Sequence, residues 1–278
     1  MSILITADEL ATALDSTAPP VVLDVRWRLD RPDGRPDYRT GHIPRAVYVD
    51  LDRELASHGG ATDGRHPLPS VEELQASARS WGINNGDIVV VYDNLKNLSS
   101  ARAWWLLSYA GIADVRLLDG ALGAWTSSDL KLESGDVTPK QGNVVLSYGH
   151  LPVLAMDEAA QLPGRGILLD ARSAERYRGD VEPIDPKAGH IPGALSAPTT
   201  ENVNLDGAFR SPAELRARFH ALGIDDGSEV GVYCGSGVTA AHAAAALAIA
   251  GYAPALYPGS WSQWSNYPDR PVATGPLP

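Results

Sequence analysis

The sequence predicts an α/β protein made of two similar domains, each a mostly parallel sheet flanked by helices. Three observations carry that expectation. Motifs of the first half return in the same order about 140–150 residues later. A repeat of that length is a duplicated domain rather than a solenoid unit. Within each half, short apolar runs alternate with helical stretches of roughly 10–15 residues, the pattern of strands joined by crossover helices.

Taken in order, the elements match in pairs. Ile5-Thr-Ala-Asp-Glu-Leu10 opens the first half, and Leu154-Ala-Met-Asp-Glu-Ala159 opens the second. Each is followed by a strand that ends in an acid and an arginine, with Asp24 and Arg26 in one half and Asp170 and Arg172 in the other. Gly41-His-Ile-Pro-Arg-Ala46 then pairs with Gly189-His-Ile-Pro-Gly-Ala194. Helices are predicted over 70–81 and 211–222, because Ser70 with Glu73 and Ser211 with Glu214 form the capping-box pattern. Val89–Asp93 matches Val230–Cys234, and each run precedes an alanine-rich helix. Finally Gly120 and Trp125 match Gly259 and Trp264. The Ser-Gly, Thr-Pro and Gln-Gly pairs after Lys131 read as a connection. The predicted layout is therefore a first domain over 1–130, a linker over 131–151 and a second domain over 152–278.

The stretch Val230 to His242 carries the chemistry. A buried strand stops at Cys234, the protein's single cysteine, and a glycine-rich turn leads into a helix expected over 240–250. Strand ends of this kind are where α/β sheets place their ligand sites. Gly235 and Gly237 free the backbone so that the N–H groups of residues 235–239, including Ser236, Val238 and Thr239, can turn inward together. Such a nest beside a helix N-terminus stabilises an anion, and a cysteine acts as a nucleophile through its thiolate. In the first half Asp93 stands where Cys234 stands, so that domain is read as catalytically silent. His42 and His190 recur in both halves, the silent one included, and are assigned structural hydrogen bonds. Asp24 and Asp170 are read as turn or ion-pair residues.

Composition narrows the functional classes. A net charge of −11 argues against nucleic acid and anionic membranes as partners. No run of about 18 apolar residues is present, and the expectation is a soluble cytoplasmic protein. One cysteine allows no internal disulfide, no C-x-x-C pair and no cysteine-based zinc cluster. Sulfur or redox chemistry must run through Cys234 and an external partner, with no metal or organic cofactor expected.

The duplicated D-x-R, G-H-I-P-x-A and V-x-V-Y-[DC] motifs, with Cys234-Gly-Ser-Gly-Val-Thr239 in the second copy, resemble the tandem-domain rhodaneses. These are the thiosulfate and 3-mercaptopyruvate sulfurtransferases. The resemblance covers residues 4–268. It implies that Cys234 takes a sulfane sulfur from a donor, becomes a persulfide and passes the sulfur to cyanide, a small thiol or a reduced protein thiol. A thioredoxin-like reductant is one such acceptor. The small neutral loop is similar to that of the 3-mercaptopyruvate enzymes, whereas thiosulfate-preferring members carry a basic pair after the cysteine. Arg176 matches the family's carboxylate-binding arginine. The second arginine expected after Glu182-Pro183 is missing, since Ile184 and Asp185 follow, and Arg178 is the candidate to compensate. The resemblance also implies an Asp52–His66–Ser236 arrangement that assists mercaptopyruvate turnover, with His66 on a first-domain loop. Trp27 is a candidate to line the site.

Three rivals stand beside this reading. One is a thiosulfate-specific sulfurtransferase, and another is a non-enzymatic persulfide carrier. The third is a cysteine phosphatase with a C-x5-R loop. Ala240 occupies the position where that loop needs arginine, which argues against the phosphatase.

Overall fold

The computed structural model describes residues 2–278, which separate into two compact units. The first holds the residues up to Ser57 together with Pro69–His150 and Val203–Phe209. The second holds His58–Leu68, Leu151–Asn202 and Arg210–Pro278. This division departs from the continuous boundaries expected from sequence. The loop that carries His66 packs with the second unit, and a short second-half segment packs with the first.

Five parallel strands make the first unit's sheet: β1 (Leu4–Ile5), β2 (Val21–Asp24), β3 (Val47–Tyr48), β4 (Val89–Tyr92) and β5 (Val115–Leu118), in the spatial order β1-β5-β4-β2-β3. Four parallel strands make the second: β6 (Ile167–Asp170), β7 (Leu195–Ser196), β8 (Val230–Tyr233) and β9 (Ala255–Leu256), in the order β7-β6-β8-β9. The central strands β4 and β8 are buried along their whole length, as parallel strands covered on both faces must be. That is why they read as unbroken apolar runs. Leu10, Ile43, Val90, Leu118 and Trp125 pack one core, and Leu162, Leu168, Ile191, Trp261 and Trp264 pack the other. The helices Val71–Ser80 and Pro212–Ala221 both start at the predicted capping boxes.

The repeated motifs prove to be one buried hydrogen-bond network used twice. Arg26 Nη2 bonds Asp24 at 2.6 Å and the Gly41 carbonyl at 2.7 Å. Arg172 Nη2 does the same with Asp170 and the Gly189 carbonyl, both at 2.6 Å. The hydroxyls of Tyr92 and Tyr233 accept the Ile43 and Ile191 N–H groups at 3.1 Å each. His42 stacks on Tyr38 with ring centres 4.2 Å apart, and His190 stacks on Tyr177 at 3.8 Å. Their Nδ1 atoms lie against backbone carbonyls at 2.9 and 2.8 Å. Both histidines therefore do structural work, as their recurrence suggested. Each buried ion pair is backed by a further bond from its arginine to a backbone carbonyl, which helps such a pair to be tolerated in a core.

The predicted linker is not a free connection. Glu133 exchanges two backbone bonds with His42, both at 2.9 Å, and Val144 N bonds Ile83 O at 3.2 Å. Ser147 N reaches Ala110 O at 3.1 Å. Glycine and proline in this stretch gave it the composition of a linker, while its backbone groups are satisfied by the first unit. Residues 131–150 belong to that unit.

Candidate active site

Cys234 is the first residue after β8 and is 1% exposed. Three contacts hold the backbone of Cys234 and Gly235. The Cys234 N–H donates to Ser260 Oγ at 3.2 Å, its carbonyl accepts Trp261 N at 2.9 Å, and the next carbonyl, of Gly235, accepts Ser262 N at 2.8 Å. The loop is thus fastened to the start of the helix Ser260–Trp264. Gly237 turns at φ 79°, a left-handed conformation that glycine adopts without strain, and its N–H points back to Cys234 Sγ at 3.2 Å. The helix Thr239–Ile249 begins directly after the loop. A fixed N–H and a helix N-terminus beside one sulfur favour negative charge there.

The silent loop shows what this turn is built to hold. Asp93 Oδ1 accepts the N–H groups of Leu95 at 2.7 Å and Asn97 at 2.9 Å, and Oδ2 accepts those of Ser99 at 2.8 Å and Ser100 at 2.9 Å. A carboxylate fills a cradle of four donors. Burial raises the Asp93 carboxyl above its usual range, and the four backbone bonds work against that rise. With no glycine available, Lys96 and Asn97 take left-handed φ values of 56° and 64°. Leu122 N bonds the Asp93 carbonyl at 2.9 Å, the counterpart of Trp261 N on Cys234.

His66 and Ser236 meet beside the catalytic loop. His66 Nδ1 lies 2.8 Å from Ser236 Oγ, with both residues buried. The segment is held by Arg65 N, which donates to Ser262 Oγ at 3.0 Å. A chain of alternating charges also approaches the loop. Arg172 bonds Asp170 and reaches Glu182 at 3.3 Å, and Arg176 Nη2 bonds Glu182 at 2.7 Å and Asp185 at 3.1 Å. Asp185 then pairs with Arg65 Nη1. Burial raises the Asp185 carboxyl, and the Arg65 guanidinium beside it opposes that shift. A Cβ added to Gly235 would lie 3.1 Å from Arg65 Nη2 and 3.3 Å from Arg176 Nη1, so both guanidiniums lie against the catalytic loop.

The rhodanese-like domain model matches the chain twice, over residues 6–128 and 155–267. The chain belongs to the rhodanese-like family. It is 51% identical over 276 residues to a Mycobacterium tuberculosis protein provisionally named a thiosulfate sulfurtransferase, covering 98% of this chain and 97% of that one. A Pseudomonas aeruginosa protein provisionally named a 3-mercaptopyruvate sulfurtransferase is 46% identical over 283 residues, covering 98% of both. Among solved structures, the Escherichia coli 3-mercaptopyruvate sulfotransferase superposes with a TM-score of 0.82 at 33% identity, covering 94% of this chain and 99% of that one.

Within this rhodanese-like site, the structure brings together Cys234, Gly235, Ser236, Gly237, His66 and Arg176. Val238 is buried at the head of the helix that Thr239 begins. Arg178 turns elsewhere: its guanidinium pairs with Asp180 at 2.7 Å on an exposed surface, which corrects its role as a substitute arginine. Asp52 and Trp27 are residues of the first unit. Asp52 lies on the helix Leu51–Glu54, and the Trp27 carbonyl accepts Ser99 Oγ at 2.8 Å beside the silent loop. Neither is among the residues the second unit itself brings to Cys234. Sequence reasoning missed Ser260, Arg65, Glu182 and Asp185. The repeat of Gly120 and Gly259 marked the element that contains Ser260. Nothing in the sequence pairs Arg65 with Asp185 across 120 positions.

Proposed function

We infer that the chain transfers sulfane sulfur through a persulfide on Cys234. The observation that carries this reading is the thiol at the end of β8, with the Gly237 N–H aimed at its sulfur from 3.2 Å and a helix N-terminus behind it. In the first half-reaction the thiolate attacks the donor's transferable sulfur, the thiol sulfur of mercaptopyruvate (whose S–H proton is released to solvent) or the outer sulfur of thiosulfate. The bond from that sulfur to the donor breaks with its electron pair on the leaving group, and Cys234 carries an S–S⁻ anion. In the second, an acceptor nucleophile attacks the outer sulfur and the thiolate returns. The same Gly237 N–H and helix N-terminus serve both anions, and double displacement follows from the covalent intermediate.

The donor favoured by the site is 3-mercaptopyruvate. Loss of its sulfur leaves the enolate of pyruvate, which must gain a proton. Ser236 Oγ, 2.8 Å from His66 Nδ1, is the hydroxyl placed to give it, with His66 as the proton source. Arg176 is assigned to the donor's carboxylate. Thiosulfate is the second reading, supported by the name of the 51%-identical relative; its leaving group, sulfite, needs no proton. A thioredoxin-like dithiol is assigned as acceptor. A lone nucleophilic thiol works in a reducing compartment, and the cytoplasm is the location we assign.

The test is mass spectrometry of the protein after incubation with either donor, followed by kcat/KM for both. A gain of one sulfur atom, absent in Cys234→Ser, is expected. Mercaptopyruvate is expected to win by about a hundredfold, equivalent to ~2.7 kcal/mol of transition-state preference. No adduct from either donor overturns sulfur transfer, and a preference for thiosulfate overturns the donor assignment.

A further inference from the structure

We propose that Arg65 is the second arginine of the donor site, contributed by the His58–Leu68 segment in place of the residue missing after Glu182-Pro183. The inference rests on the sulfur-transfer reading for its substrate, and on geometry of the second unit for its residue.

The alternating ladder Asp170, Arg172, Glu182, Arg176, Asp185 and Arg65 runs from the core to the loop and carries equal numbers of positive and negative groups. Its buried members are almost fully enclosed: the side chains of Asp170, Arg172, Glu182 and Asp185 are at most 3% exposed. At the outer end, Asp185 bridges the two arginines and uses only one side of each. It takes Nη1 of Arg65 and Nη2 of Arg176. The atoms that face Gly235 are the other two, Arg65 Nη2 and Arg176 Nη1. Among the described residues Arg65 Nε is buried with no hydrogen-bond partner, so this guanidinium has donor capacity left over. Asp185 is a positioning residue. It aligns two planar forks so that their free N–H groups converge beside the residue next to Cys234.

Two converging guanidiniums suit a planar carboxylate or a sulfonate-type oxyanion, because Arg65 Nη2 and Arg176 Nη1 can each give a directed, charge-assisted bond while Glu182 holds the other edge of Arg176. Arg65 and Asp185 also border a cavity of about 340 Å³ with Ile184, Ser262 and Asn266, so the outer end of the ladder is open to small molecules. The donor class is thus a small anion, held beside Gly235. Where relatives of the mercaptopyruvate type carry an arginine after Glu-Pro, this chain carries the carboxylate of Asp185, and the cation comes from another segment of chain.

Charge-selective alkylation tests this without needing sulfur transfer. Iodoacetate and iodoacetamide are similar in size and differ in charge, and both report on Cys234, the sole thiol. In Arg65→Gln the iodoacetate rate is expected to fall about fivefold relative to iodoacetamide, with Arg65→Lys keeping most of the ratio. In turnover, Arg65→Gln should raise KM for the anionic donor about tenfold while kcat stays within about twofold, the loss of one ground-state ionic contact. An unchanged alkylation ratio overturns the assignment, and so does a fall shared equally by both reagents. Absence of a persulfide in the wild-type protein would instead strike the sulfur-transfer reading and leave the alkylation result to stand by itself.

Discussion

At the scale of single residues, the role proposed for Ser236 and His66 would separate the two donor chemistries. Departure of sulfur from mercaptopyruvate leaves a carbanion equivalent that needs a proton, whereas sulfite leaves as a stable anion. A positioned proton donor contributes about 10²–10⁴ to such a step. Ser236→Ala is therefore expected to lower kcat/KM for mercaptopyruvate by about a hundredfold and to leave thiosulfate within about threefold. Side-by-side steady-state kinetics checks this, and equal losses with both donors would give Ser236 a role in holding the loop instead. Ser236 was legible in the sequence because it sits two positions after the cysteine, inside the glycine-rich turn. The contact from His66, 170 positions away, could be read only through the family resemblance. Arg65 was legible in neither way, since its partner Asp185 comes from a distant part of the chain and looked like a mere loss of arginine.

At the scale of the element, strand ends followed by tight turns explain why both halves place an ionisable side chain at one point. The turn after β8 relies on Gly237 to aim an N–H at sulfur, and the turn after β4 reaches a similar shape with Lys96 and Asn97 in left-handed geometry. The Asp93 carboxylate compensates for that strain by satisfying four backbone donors. Asp93→Ala removes every one of those bonds in a buried loop. Each orphaned donor costs about 1–3 kcal/mol, so a total loss of about 4 kcal/mol or more is expected in urea unfolding. A loss below about 1 kcal/mol would mean that the loop relaxes without its anion. The sequence showed that Asp93 cannot carry sulfur, and the residue reads as a simple loss of function until its four donors are seen. The apolar runs, capping boxes and duplicated motifs were legible because local chemistry determines them. The stretch after Lys131 reads as a linker because turn-rich composition says nothing about where its backbone groups find partners.

At the scale of the whole molecule, duplication was visible from spacing alone, while the boundaries of the compact units were not, since residues 58–68 and 203–209 each pack with the unit formed mainly by the other half. The protein's response to pH is likewise a sum over distant groups. Burial raises the carboxyls of Glu54, Asp93, Asp119 and Asp185 above their ordinary values. For an acid whose folded value is raised, stability is full below the unfolded value and is lost as pH climbs through the folded one. The capping carboxyls Glu9, Glu73 and Glu214 behave oppositely, because hydrogen bonds from Thr6, Ser70 and Ser211 lower them. Their contribution is present above the ordinary carboxylate range and disappears as pH falls through the lowered values. The two sets overlap favourably just above that range. A net charge of −11 adds self-repulsion as pH rises to neutrality, in the same direction as the buried acids. The caps are exposed and individually weak, so the buried acids and the net charge dominate. Tm is therefore expected to be higher near pH ~5 than near pH ~8, with the gap narrowing in high salt as screening removes the repulsion. Calorimetry across that interval checks the sum. A Tm that rises steadily from pH ~5 to ~8 would show that the hydrogen bonds to Asp93 and the arginines around Asp185 outweigh the cost of burying their charges.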